Sequence, residues 1–366
     1  NWRTWIPGAL LVLAYLSSLL GVDFYHSFWS IFDRGDGLLT LTSIVLFFYL
    51  IVLYADKAFI ERLLKVVVSV ASVVALVSVL QWFETISGVN LPFVPQASGR
   101  IGGTLGNAAY LASYLGITFF VTLSILPSLQ GRWRTATLVG AALQIFAIIG
   151  TATRGSFIAL LLAAFFALVF TAWKGDSYRT WARAGLVGIL ILSGLFFAFH
   201  GQLASVPFEP VSRLASISLA DKTVESRLFI WGNVISEPLA RPLGVGAEHI
   251  QTLFNRFYDP TAIVEQWFDR THNAFLDYLV QYGILGLILY LALIGVFVWE
   301  SLRLARSSLP EEVYRGRLFL LVGLVYAVQN FFVFDSAVTL WLFFGLLAAL
   351  FVGRGKESTV AFPIPR

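Results

Sequence analysis

The chain has 366 residues, of which 58% are hydrophobic and 13% charged, with a mean hydropathy of +0.80. Soluble domains carry about 25% charged residues, so this much apolar surface calls for lipid as its solvent. The net charge of +4 reads as an orientation signal against a membrane, with no nucleic-acid footprint, and the lack of cysteine removes disulfides, thiolate metal sites and a cysteine nucleophile.

Apolar stretches near the roughly 20 residues that cross a bilayer fall at 5–22, 37–54, 63–83, 105–127, 136–152, 156–173, 184–200, 275–300, 317–334 and 337–353. They predict an all-α integral membrane protein of about ten transmembrane helices with one large periplasmic loop carrying short amphipathic helices. The boundaries are a bundle over 1–200, the loop over 201–270, the C-terminal helices over 271–353 and a cytoplasmic tail over 354–366. The connections at 153–155 and 335–336 are short enough to predict tight helical hairpins. An Asn at position 1 and the absence of methionine predict that further sequence precedes the chain, and residues 5–22 read as a span, not as a cleavable signal.

Orientation follows from the short loops. Those at 55–62, 128–135, 174–183 and 301–316 carry Lys57, Arg62, Arg132, Arg134, Lys174, Arg179, Arg183, Arg303, Arg306 and Arg315, and the opposite short loops hold only Arg34, Arg100 and Arg154. The positive-inside rule then predicts both termini in the cytoplasm and 201–270 outside, in the periplasm of a Gram-negative cell.

Within that loop, ADKTVESRLFIWGNVISEPL places Val224, Leu228, Trp231 and Ile235 at helical spacing, with Asp221 as N-cap and Pro238 as a stop. Gly244 and Gly246 follow in a turn before a second short helix. Free N–H groups there could bind an anion, and a plain turn is the competing reading.

The spans hold few ionisable groups. Lys65, Asp277 and Glu300 lie near ends, with Gln81 and Gln144 the main polar residues inside, which counts against an ion-coupled carrier. Arg154, in GTATRGSF, stands where the positive-inside rule disfavours it, although a snorkelling anchor would look the same. Arg227 sits on the loop helix, where a solvated role is the plain alternative. In a regular helix over 271–300, His272, Leu276, Leu279, Gly283 and Gly286 share one face, the glycines allowing close packing. Such a histidine suits general-base chemistry, oriented by Asp269 or Glu265, or is simply an interfacial histidine. Neither the four histidines nor Asp33 and Asp36 in DRGD show metal-ligand spacing, so no metal and no cofactor are expected.

Four stretches resemble the O-antigen ligase and O-antigen polymerase superfamily of bacterial envelope enzymes: SFWSIFDRGDGL; GGTLGNAAYLASYL with TATRGS; RLFIWGNVISEPLARPLGVGAEHI; and HNAFLDYLVQYGILG. The last carries His272 and Asn273, then Gly283 and Gly286 at the family's spacing. The resemblance implies a metal-independent glycosyltransferase of the inner membrane. It would move a glycan from undecaprenyl pyrophosphate to an acceptor hydroxyl at the periplasmic face, the acceptor being lipid A-core, another glycan or a protein. Carried over, His272 is the catalytic base, and Arg154 and Arg227 hold the pyrophosphate. Arg100, Asn107, Arg241, Gly244, Gly246, Trp267, Arg270 and Asn273 are donor- or substrate-binding candidates, and Trp231 a second sugar-stacking aromatic. A polymerase or protein O-oligosaccharyltransferase of the same superfamily fits equally. A flippase of lipid-linked glycans and a membrane scaffold are the alternatives from other classes.

Overall fold

The computed structural model describes residues 2–32, 34–97, 100–174, 178–217, 221–261 and 267–352. Among them it contains helices and no β-strand: α1 (Ile6–Leu19), α2 (Phe24–Trp29), α3 (Leu38–Tyr54), α4 (Lys57–Ser87), α5 (Ala108–Ile125), α6 (Gly131–Gly150), α7 (Arg154–Lys174), α8 (Arg179–Ala198), α9 (His200–Ala204), α10 (Glu209–Ala215), α11 (Lys222–Val234), α12 (Glu237–Ala240), α13 (Ile250–Phe257), α14 (Ala274–Leu304), α15 (Pro310–Phe332) and α16 (Ala337–Phe351). Every predicted apolar stretch forms one of these helices. Six of the described helices (α4, α5, α6, α7, α8 and α14) are long and apolar enough to cross a membrane, and α3 and α16 are apolar but shorter.

Helix ends follow local chemistry. Asp56 caps α4 by accepting from the Phe59 amide at 2.7 Å, and Ser336 and Thr339 close a capping box on α16. α5 runs through the centre, packed by α4, α6, α7 and α15, and 72% of its apolar window is buried; for α8 the figure is 6%. Both helices are apolar, so α8 turns its Leu190, Leu192 and Phe197 outward, as a lipid-facing helix does.

Polar groups inside the bundle are paired. Gln144 Nε2 donates to Thr122 Oγ1 at 2.9 Å, and the Ser113 and Ser156 hydroxyls donate to Gln329 Oε1 at 3.2 and 3.0 Å. Such bonds contribute about 0.6–2 kcal/mol each between membrane helices. Gln81 donates to the Pro95 carbonyl at 2.6 Å and accepts from the Gly103 amide at 2.8 Å. That fastens the connection leading to Arg100 against α4.

Three expectations need correction. The short connections do not make tight hairpins: α6 packs on α4 and α5 while α7 packs on α8 and α15, and α15 packs on α5, α7 and α14 while α16 packs chiefly on α3. The predicted loop helix forms as α11, with Ser226, Ile230 and Val234 buried, the latter two in a cluster with Phe254 and Phe268, and Leu228 and Ile235 exposed. Pro238 lies in the first turn of α12, where its missing N–H costs nothing, so it starts a helix. Finally, α14 begins at Ala274 and is broken at Gly283, whose φ is +71° and ψ −170°. A Cβ there would lie 1.8 Å from the Pro242 carbonyl oxygen, so loop backbone enters the break. The Val245 and Gly246 amides donate to the Val280 and Gln281 carbonyls, each at 3.0 Å. His272 therefore precedes the helix, and no continuous face joins it to both glycines. The predicted tail, 354–366, lies outside the described residues.

Candidate active site

At the loop end of the bundle lies a cavity of about 310 Å³, open to the surface. It is walled by the starts of α5 and α7, by α10 and α11, by the segment before α14 and by the connection after α15. His272, Arg154 and Arg227 all line it, together with Arg34, Arg100 and Arg213.

His272 is held from its neighbours. Asp277 Oδ1 accepts from the Thr271 amide at 2.9 Å, and the single proton of the Thr271 hydroxyl has two acceptors in reach, Asp277 Oδ1 at 2.6 Å and the Asn273 carbonyl at 2.8 Å. Between these bonds His272 has a φ of +56°, a left-handed conformation that costs a non-glycine residue on the order of 1–3 kcal/mol and persists only where neighbours enforce it. Its ring packs against Phe334 and Phe268, with centroids 5.5 and 6.3 Å away. Burial, then the Arg227 charge, push the imidazole pKa down to about 4 against an upward pull from Asp269. The free imidazole is neutral at physiological pH and able to accept a proton. Asp269 itself pairs with Arg34, at 2.7 Å from Nε and 2.6 Å from the terminal nitrogen, and Arg34 lies over the Phe334 ring and donates to the Tyr110 hydroxyl.

Arg154, at the start of α7, reaches across to the loop. Its Nε donates to the Arg213 carbonyl at 2.8 Å, one terminal nitrogen to Asp221 at 2.9 Å, and the other to the Ser216 hydroxyl at 3.1 Å. Asp221 is the N-cap of α11, as expected from the sequence, accepting from the Thr223 amide at 2.9 Å. The Thr223 hydroxyl, then its amide and Arg154, hold the Asp221 carboxyl down at about 2. One carboxylate thus joins α7 to the helix bearing Arg227.

Of the sequence candidates, the cavity gathers His272, Arg154, Arg227, Arg100 and Asn107; Asn107 also caps α5, accepting from Ala109 at 2.8 Å. The others are placed differently. Arg270 is buried inside the fold, paired with Glu248 and with Asp36 at 3.5 Å and donating to Gln281 at 3.3 Å, so it braces the loop. Asn273 spends its side-chain oxygen capping α14, accepting from Phe275 and Leu276 at 3.0 and 3.3 Å. The Gly244 amide donates to the Arg241 carbonyl at 2.8 Å and the Gly246 amide to Gln281, so these N–H groups are spent on backbone, not on an anion. Arg241 and Trp267 lie outside the cavity lining, the latter 51% exposed. Trp231 uses its indole N–H on the Thr271 carbonyl at 2.8 Å and packs edge-on against Phe331. Glu265 and Asp33 lie outside the described residues. Sequence reasoning missed Arg213, whose only signal was its basic character in a short helix, and gave Arg34 no part in a site.

Residues 139–291 match the family model described as O-antigen ligase. The matched segment contains Arg154, Arg213, Arg227 and His272, whereas Arg34 and Arg100 precede it. No curated protein matches the chain.

Proposed function

We propose, for a chain that this match places in the O-antigen ligase/polymerase superfamily, that it transfers a glycan from undecaprenyl pyrophosphate to an acceptor hydroxyl at the periplasmic face of the inner membrane. The family indicates ligase- or polymerase-type chemistry in O-antigen assembly by glycosyltransferase-like enzymes. The observation carrying the finer reading is the convergence of His272 with Arg154 and Arg227 on one arginine-rich cavity.

His272 takes the proton from the acceptor hydroxyl as its oxygen attacks the anomeric carbon. The bond from that carbon to the phosphate oxygen breaks, and the lipid diphosphate leaves with the electron pair. The positive charges of Arg154 and Arg227 stabilise the growing negative charge in a site partly screened from water. Guanidinium groups suit phosphate because their planar fork matches its oxygens.

The donor is amphiphilic, and so is the site. A second cavity, of about 610 Å³, is lined by Phe157, Leu195, Phe199, Phe208, Val211 and Leu214 among other apolar residues. α10 forms the wall between them, with Val211 and Leu214 on the apolar side and Arg213 on the cationic side. This arrangement supports a lipid tail entering beside its own headgroup.

The decisive experiment is transfer in vitro by purified protein, with an undecaprenyl-pyrophosphate glycan and a panel of lipid A-core, glycan and protein acceptors. Turnover should be lost in His272→Ala and reduced in Arg154→Ala and Arg227→Ala. Full activity of His272→Ala would refute the base, and the accepted substrate identifies the acceptor class.

A further inference from the structure

We infer that the end of the bundle away from the active-site cavity holds a second amphiphile site, for a membrane phospholipid whose headgroup carries both a phosphate and a primary ammonium. That site lies apart from the chemistry proposed above: α14 has Ala274 at the active-site end and Arg303 at the other.

Helix packing opens a groove for a lipid chain. α3 lies against α1 and α16, and α4 against α5 and α6, which leaves a gap between α4 and α16. A cavity of about 250 Å³ fills it, walled by Leu63, Val66 and Val70 of α4 and by Trp341, Leu346 and Ala349 of α16. Val66 and Val70 are 58% and 50% exposed, so the gap opens on the outside of the bundle. Along α16 the lining runs from Val338 to Ala349, about 16 Å at a rise of ~1.5 Å per residue. Half of a bilayer's hydrocarbon core is about 15 Å. The groove therefore suits one acyl chain of one leaflet.

An apolar groove alone would take any lipid tail, and selection comes from the larger cavity at its foot. That cavity, of about 830 Å³, shares Leu64 and Ala349 with the groove and lies among the starts of α4 and α15 and the ends of α14 and α16. Its charged lining balances, with Lys57, Arg303 and Arg315 against Glu61, Glu311 and Glu312. Lys57 pairs with Glu312 at 3.2 Å and Arg315 with Glu61 at 2.7 Å.

Two complementary groups are left over. Arg315 Nε is buried without a partner, and the Glu311 carboxylate lines the cavity with no hydrogen bond or ion pair among the described residues. A buried donor left unsatisfied is costly, and a phosphate oxygen would satisfy it. Arg303 adds a second donor: its Nε binds Glu300 at 2.9 Å and one terminal nitrogen the Leu350 carbonyl at 3.4 Å, which leaves the other terminal nitrogen uncommitted. The Glu311 carboxylate then suits the ammonium. An anionic headgroup would leave this balanced cavity with net negative charge, whereas a zwitterion keeps it neutral.

The test is native mass spectrometry of the purified full chain, titrated in detergent with dioleoyl phosphatidylethanolamine, phosphatidylcholine or phosphatidylglycerol. The ethanolamine lipid should fill one saturable site about tenfold more tightly than either of the others. Choline keeps the phosphate and the charge but has no N–H to donate, and glycerol lacks the cation. Arg315→Lys keeps the charge beside Glu61 and deletes the Nε donor, so it should weaken all three lipids several-fold. Glu311→Gln should abolish the preference for ethanolamine and leave affinity for the choline lipid unchanged. Val70→Trp, on the exposed wall, should fill the groove and weaken all three without disturbing the core. Phosphatidylglycerol binding as tightly as phosphatidylethanolamine, or a wild-type profile in both Arg315→Lys and Val70→Trp, overturns the inference. So does the absence of saturable binding, the result expected where another protein segment fills the cavity.

Discussion

Trp231 donates its indole N–H to the carbonyl of Thr271 at 2.8 Å, four residues along α11 from Arg227 and one residue before His272. That hydrogen bond ties the helix bearing Arg227 to the residue before His272. Trp231→Phe keeps the ring packed against Phe331 and deletes the bond. Its net value for stability is only about 0.5–1.5 kcal/mol, but a small displacement of a catalytic group is expensive in rate. We expect kcat to fall about tenfold or more, with KM for the donor and the melting temperature nearly unchanged. Equal losses in stability and rate would show the bond to be structural only.

The pH profile follows from His272. Its folded pKa, about 4, lies below the ordinary value of 6.5, and the base must be neutral. In the free enzyme, kcat/KM should hold down to mildly acidic pH and fall as pH drops through about 4. A bound diphosphate adds negative charge that offsets Arg227, so the acid limb of kcat should sit higher than that of kcat/KM. Arg227→Gln removes the second cause of the depression and should move the kcat/KM limb upward toward 6.5. A limb that stays in place would separate His272 from the titration.

Asp221 does two jobs that one substitution can part. Asn is as good an N-cap as Asp, so Asp221→Asn retains the cap of α11 and removes the charge paired with Arg154. We expect folded protein with a reduced rate. Asp221→Ala should lose the cap as well, at about a further 1 kcal/mol, measured by thermal unfolding in detergent. A wild-type rate in Asp221→Asn would show that the charge is idle, and equal melting temperatures of the two variants would show that the cap is.

Positive charge at the leaving group comes from arginine in the proposed chemistry. Transfer should therefore persist after exhaustive dialysis against EDTA, measured with the same donor. A rate that collapses and returns with magnesium would overturn the arginine account.

The glycines of the loop junction are predicted to be intolerant. Gly244 has a φ of +80°, and a Cβ there would approach the Gln281 carbonyl oxygen to 2.3 Å. Gly244→Ala should cost on the order of 1–3 kcal/mol from the backbone conformation alone, before the clash is counted, and Gly283→Ala more. Gly295→Ala is the control: it sits in α14 with nothing within 4 Å of the added carbon and should stabilise by about 0.5–1 kcal/mol. The measurement is the melting temperature of the purified variants.

Arg34, Arg100 and Arg154, the arginines of the short loops opposite the more basic ones, all line one cavity with His272, although the sequence marked only Arg100 and Arg154 as candidates. Arg213 went unmarked and Arg270 was assigned to the site, because their places depend on burial and on partners distant in sequence: Arg270 meets Asp36 across more than two hundred residues. The apolar periodicity located the helices and the loop helix α11, whose Leu228 and Ile235 are exposed while Ile230 and Val234 are buried. The break at Gly283 also lay beyond sequence reading. Two glycines three apart serve close packing in a straight helix, and only the loop inserted between Pro242 and Gly246 shows that one of them ends a helical segment.

That break makes the upper segment of α14 a structure completed by another part of the chain. The carbonyls of Val280 and Gln281 accept from loop amides at 3.0 Å, and in hydrocarbon a carbonyl without a donor costs several kcal/mol. α14 can therefore reach its lowest energy only once the backbone of residues 242–246 has docked into its break. A chain in which that docking fails keeps two carbonyls of α14 without their donors, so the helix and the loop are expected to mature together.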